Sequence, residues 1–127
     1  MLNYLMVAIG GALGSVARFW ISTTLGERFT ETFPIGTLLV NVTGSFLIGL
    51  LAAHAKSGML SDSTRAFLMV GVCGGYTTFS SFSLQNLQLL QNGNYYYAAL
   101  NTTLSFVLCM VGVWLGYLAG LAWSPVK

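Results

Sequence analysis

Charge is what this sequence has least of. Of its 127 residues 6% are charged and 55% are hydrophobic, whereas soluble domains carry about 25% charged residues. That excludes an ordinary water-soluble fold and implies a membrane protein. Acids are scarcer still: Glu27, Glu31 and Asp62 are the whole set, and all three fall in the connections between apolar stretches. No carboxylate therefore lies within a membrane-crossing segment. Proton-coupled carriers and small four-helix multidrug exporters work through intramembrane ionisable groups, so that chemistry is absent. The lone histidine, His54, sits beside Lys56 at the end of a span, where the membrane interface accommodates it. The two cysteines, Cys73 and Cys109, both fall inside predicted spans, where free thiols act as small hydrophobes. With no nucleophile–base pair, no Cys/His cluster and no phosphate loop, the residues point away from an enzyme. A net charge of +2 is too small to argue for nucleic acid as a partner.

What is present is apolar length. A helix needs about 20 mostly apolar residues to cross roughly 30 Å of hydrocarbon. Four stretches qualify, at about residues 2–24, 36–54, 65–90 and 95–123, joined by short connections. They predict an all-α membrane protein, a single transmembrane domain over residues 1–127 with the lipid bilayer as its surroundings. The first stretch is too long for the core of a signal peptide and reads as the first span. Gly10 and Gly14, and the ladder Gly112, Gly116 and Gly120, recur at the spacing that lets helices approach closely. Tyr95, Tyr96, Tyr97 and Trp123 bracket the last span as interfacial aromatics do. Orientation is nearly balanced. Lys56, Arg65 and Lys127 share one side, and Arg28, with Arg18 if it reaches that interface, occupies the other. Such balance suits insertion both ways round and an antiparallel dimer.

The third span carries the anomaly. From Gly74 it reads Gly-Gly-Tyr-Thr-Thr-Phe-Ser-Ser-Phe-Ser, two glycines followed by six hydroxyl residues in eight. The glycine pair ahead of Thr77 and Thr78 is either a helix break, whose carbonyls freed at membrane depth must be satisfied by protein or by an ion, or a packing contact in an unbroken helix. Hydrogen-bond donors elsewhere in the spans are Asn41, Gln85, Asn101, Ser105 and one cation, Arg18, which either snorkels or lines a water-filled vestibule. Asn41 is either interhelical glue or a ligand contact. Asn101, Ser105 and Cys109 lie four apart on one helix face. Donors without carboxylates suit an anion or a small neutral solute. Phe79 and Phe82, at i and i+3, can present electropositive ring edges to an anion or simply pack.

These residues resemble a known family, the CrcB/Fluc fluoride channels. The third-span run is similar to that family's signature. Three further pieces match in order: Gly-Ser-Val-Ala-Arg ending at Arg18, Pro-x-Gly-Thr-Leu-x-x-Asn ending at Asn41, and Leu-Leu-Gln-x-Gly before the last span. The likeness covers essentially the whole chain. It implies an antiparallel dual-topology homodimer in a bacterial inner membrane, with four transmembrane helices per chain and a break in the third, passing fluoride out of the cell. By the same resemblance Phe79 and Phe82 are the paired phenylalanines, Asn41 the pore-facing asparagine and Arg18 the vestibule arginine. Thr78 belongs to the file of donors, and Ser81 and Ser105 fall on the polar track. Gly74 and Thr77 are the positions whose carbonyls, from both copies, hold a structural sodium ion. Gln85 departs from a frequent glutamate, Cys109 from a frequent serine and Tyr76 from an aliphatic residue. The competing readings are weaker. A multidrug-type exporter needs a membrane acid, and a non-transporting assembly subunit leaves the polar file unexplained.

Overall fold

The computed structural model describes residues 1–29 and 32–123. Glu31 and Lys127, counted above among the acids and the loop cations, lie outside the described residues. The helices are α1 (Leu2–Phe29), α2 (Ile35–Lys56), α3 (Asp62–Arg65), a π-helical stretch Ala66–Cys73, α4 (Gly74–Tyr76), α5 (Phe79–Gln91) and α6 (Tyr95–Trp123). No strand occurs among the described residues. Four lengths suffice to cross a membrane: Leu2–Leu25, Ile35–Lys56, Asp62–Gln91 and Tyr95–Trp123. These are the four predicted spans, the third built from α3 through α5. Two boundaries move. The first helix runs on to Phe29, so Glu27 and Arg28 belong to helix rather than to a loop. The third begins at Asp62 because the Ser61 side chain caps it, accepting from the Thr64 N–H at 3.2 Å as N-cap serines do.

Glycines set which helices touch. Gly112, Gly116 and Gly120 are buried on one face of α6 and lie against α2. A Cβ at Gly116 would collide with the Phe46 carbonyl, and one at Gly120 would sit 2.7 Å from the Leu50 carbonyl. α1 packs in the same way on the third span. Gly10 meets the Phe67 carbonyl, Gly14 the Val72 carbonyl, and a Cβ at Gly75 would lie 2.5 Å from the Gly11 carbonyl. With apolar lipid competing for every apolar side chain, close backbone packing of this kind is what associates helices in a membrane. Few residues are fully enclosed; Val40 on α2 and Asn101 on α6 are the largest.

Two turns are fixed by glycine. Beyond α2, Gly58 adopts φ 75°, with its N–H on the Ala55 carbonyl and the Met59 N–H on the His54 carbonyl. Beyond α5, Gly93 adopts φ 74°, with its N–H on the Leu90 carbonyl and the Asn94 N–H on the Leu89 carbonyl. Both are Schellman closures, which need a left-handed residue after the helix. Gly93→Ala is expected to lower stability by about 1 kcal/mol or more. Thermal unfolding in detergent, followed by tryptophan fluorescence, checks it; an unchanged midpoint would show that the turn relaxes at no cost.

Candidate functional site

The break falls one step later than the glycines suggest. Gly74 and Gly75 remain helical, Gly74 at φ −64° and ψ −38°. The chain opens at Thr77 (φ −77°, ψ 157°) and Thr78 (φ −152°, ψ 116°). Two successive β-branched residues favour extended backbone, and no positive φ is required. The glycines serve contact instead: Gly75 rests on α1, and on α2 Gly44 leaves room for the Thr77 methyl group. The eight-residue π-helical stretch ahead of the break has no signature the sequence reading used.

An opened helix frees N–H and C=O groups, and side chains meet most of them. Asn41 takes two. Its Oδ1 accepts from the Thr78 N–H at 2.8 Å and its Nδ2 donates to the Thr78 carbonyl at 3.0 Å. The carboxamide thus pairs with Thr78 as a neighbouring strand would. Thr78 also caps α5: its hydroxyl accepts from the Ser81 N–H at 3.2 Å and donates to Ser81 Oγ at 3.0 Å. From α1, Ser15 Oγ donates to the Gly75 carbonyl and Arg18 Nη1 to the Thr77 carbonyl, each at 3.4 Å. The Cys73 carbonyl accepts both the N–H and the hydroxyl of Thr77. The Gly74 carbonyl does not receive the donor that would continue the helix, since the Thr78 N–H is turned to Asn41.

A cavity of about 530 Å³ opens at this break. Seven of the nine residues singled out in the sequence line it: Asn41, Gly74, Thr77, Thr78, Phe79, Phe82 and Ser105. Arg18 and Ser81 stand behind the wall, reaching it through Thr77 and Thr78. Phe79 is 79% exposed and its ring centroid lies 5.4 Å from that of Phe82, the planes 38° apart. α5 begins in the cavity, so the positive end of its dipole faces the same space. Thr78 is buried, as are Asn101 and Ser105 on α6, the Ser105 hydroxyl donating to Asn101 Oδ1 at 3.4 Å. Two buried polar atoms have no partner among the described residues, Asn101 Nδ2 and Gln85 Oε1. Cys73 and Cys109 also line the cavity as free thiols. Among the described residues no cluster of three His, Cys, Asp or Glu side chains forms a metal site.

A second cavity, about 350 Å³, was not anticipated. It lies at the end of the bundle between Ser22, Gly36, Thr37, Gln85, Gln88 and Asn94. Its polar side chains come from three helices and a turn, far apart in sequence, so no local pattern announces it. The spacing of Ser81, Gln85 and Gln88 on α5, at i, i+4 and i+7, with Thr78 as the N-cap ahead of them, is the one available signal. It draws a polar stripe from one cavity to the other.

The sequence has many relatives. The family model described as "CrcB-like protein, Camphor Resistance (CrcB)" matches residues 5–117. A protein of Opitutus terrae named "Fluoride-specific ion channel FluC" is 53% identical over 127 residues, covering 98% of this chain and 96% of that one. A protein of Rhodospirillum rubrum with the same name is 48% identical, covering 94% and 95%. Another, of Methylocella silvestris, is 44% identical, covering 99% and 98%. A match of this extent, on a chain with four membrane-length helices and a break where the signature run lies, makes this a multi-pass membrane protein that belongs to the CrcB-like family.

Proposed function

We propose that this chain is a fluoride-selective channel that lets cytoplasmic fluoride leave passively across a bacterial inner membrane. The observation that carries the reading is the cavity at the helix break. It gathers a carboxamide, hydroxyls and two phenylalanine rings from α2, α5 and α6 with no carboxylate among them. Such groups can replace part of the hydration shell of a small anion. The relatives named as fluoride-specific channels support the same ion. No bond is made or broken. The driving force is the membrane potential, about 2.3 kcal/mol per charge per 100 mV.

The channel is an antiparallel dual-topology homodimer in this reading. The physical support lies at Thr77 and Thr78. Irregular backbone is not tolerated against lipid at membrane depth, yet Gly74 and Phe79 are exposed beside it. A second copy laid across the break covers it and closes the cavity into a pathway. The near balance of loop cations allows that copy to be inverted.

The carbonyls of Gly74 and Thr77 suit a hard cation such as sodium, and the Gly74 carbonyl lacks a helical donor. Two oxygens from one chain are too few to surround an ion, and the second copy doubles them. Bound there, sodium would supply a fixed positive charge at the join between the copies. The chain's own groups do the rest. Asn41 holds the break open, Thr78 and Ser81 cap α5, and the ring edges face the ion.

The test is purified protein in liposomes, with fluoride efflux followed by a selective electrode. Efflux dependent on protein, and absent for chloride at the same gradient, is the expected result. No efflux at a confirmed reconstitution density would remove the channel reading.

A further inference from the structure

α1 presents Gly11, Ser15, Arg18 and Ser22 at i, i+4, i+7 and i+11, one face of the helix, and that face runs along the break. Gly11 supports Gly75, Ser15 donates to the Gly75 carbonyl, Arg18 donates to the Thr77 carbonyl, and Ser22 rests on Gly36. Ser15 is neutral; Arg18 is not. The guanidinium is half-buried, and its hydrogen bond among the described residues goes to a carbonyl dipole rather than a carboxylate. That carbonyl, at 3.4 Å, is one of the two oxygens assigned above to sodium. Two unit positive charges sharing one oxygen stand only a few ångströms apart. In a partly buried setting, repulsion at that range changes an affinity by about tenfold to a hundredfold.

We propose that Arg18 and sodium compete for the Thr77 carbonyl, so that Arg18 sets how tightly the site holds the ion. The proposal rests on the sodium reading and adds a determinant to it. Arg18 keeps sodium exchangeable: when the ion leaves, the guanidinium holds the carbonyl and the break survives; when the ion binds, the guanidinium moves off. Removing the charge tightens sodium binding even though it deletes a hydrogen bond. A purely structural arginine would do the opposite.

The experiment uses the full chain in detergent. Dimer stability is read by subunit exchange between fluorescently labelled copies, with sodium titrated against N-methylglucamine at constant ionic strength. Arg18→Gln is expected to lower the sodium midpoint by about tenfold or more, and Arg18→Lys to stay within about threefold of wild type. Ser15→Ala, which removes a neutral donor from the neighbouring carbonyl, is expected to leave the midpoint in place. Arg18→Met gives the same test with a second neutral side chain of similar length, and its sodium midpoint is expected to fall by about tenfold or more. Equal midpoints for wild type and the folded neutral variants, or an equal shift from Ser15→Ala, would each overturn the competition. If neither wild type nor Arg18→Gln responds to sodium, the sodium reading itself fails and takes this proposal with it. If Arg18→Gln does not fold, Arg18→Met decides alone.

Discussion

Asn41→Asp should abolish fluoride flux, by on the order of 100-fold, while Asn41→Ala should unfold the break. The two substitutions separate the asparagine's two jobs. In the native chain the carboxamide gives an acceptor to the Thr78 N–H and a donor to the Thr78 carbonyl, and it also lines the cavity. Alanine removes both partners. Each buried group left unpaired costs about 1–3 kcal/mol, so a loss of about 2–6 kcal/mol is expected for the two, at a depth where water is scarce. Aspartate keeps the acceptor but sets a second oxygen against the Thr78 carbonyl and a negative charge in an anion's path. Repulsion of a few kcal/mol at about 5–7 Å corresponds to the stated loss of rate. Thermal unfolding and electrode-measured efflux report the two effects separately. An Asn41→Ala protein with native stability would show that Thr78 does not depend on the carboxamide. Native flux in Asn41→Asp would place the ion elsewhere.

Phe82→Ile should lower efflux by about tenfold or more and leave the proposed dimer intact, with Phe79→Ile acting in the same direction. Isoleucine fills much of the same volume but has no electropositive edge, so it tests the quadrupole rather than the packing. A ring interaction worth about 0.5–1.5 kcal/mol in ordinary aromatic pairs grows where water is excluded, and about 1.4 kcal/mol is tenfold in rate. The two rings are not equivalent. Phe79 projects from the first turn of α5 and is largely exposed, whereas Phe82 is half-buried in the cavity wall. Phe82 should therefore also affect the stability of the single chain, and Phe79 mainly the surface offered to a second copy. Wild-type rates in both variants would take the phenylalanines out of the pathway.

Much of the site was legible because membrane chains obey strong local rules. Hydrocarbon thickness fixes span length, and an uncompensated polar group in a span stands out, so the third-span hydroxyls and Asn41 drew attention on composition alone. From the glycines a break was one of two open readings; the family resemblance favoured it, one step ahead of where the chain opens. Glycine permits a break but does not compel one, and the decision fell to packing: Gly75 is held helical against Gly11, while Thr77 and Thr78 find Asn41 and Ser81 as partners. The same logic explains why Asn41 had two open readings. Its reciprocal bond to Thr78 spans 37 residues of chain, and no local pattern encodes a contact at that separation. Arg18 likewise has no partner in sequence; only the crossing of α1 over the break brings it to the Thr77 carbonyl. The second cavity, with Gln85 and Gln88 on its wall, was invisible because its lining comes from three helices and a turn.

By itself, then, the sequence determined the solvent, the number of spans, the glycine ladder that suits the last span to close packing and a set of donors that suits an anion or a small neutral solute. Each of these depends on composition or on a period of a few residues. The tertiary structure decided where the third helix opens, which side chains heal it, which carbonyls stay free and which residues share a cavity. Those outcomes depend on distances between helices, and they are set only when backbone meets backbone at the glycines.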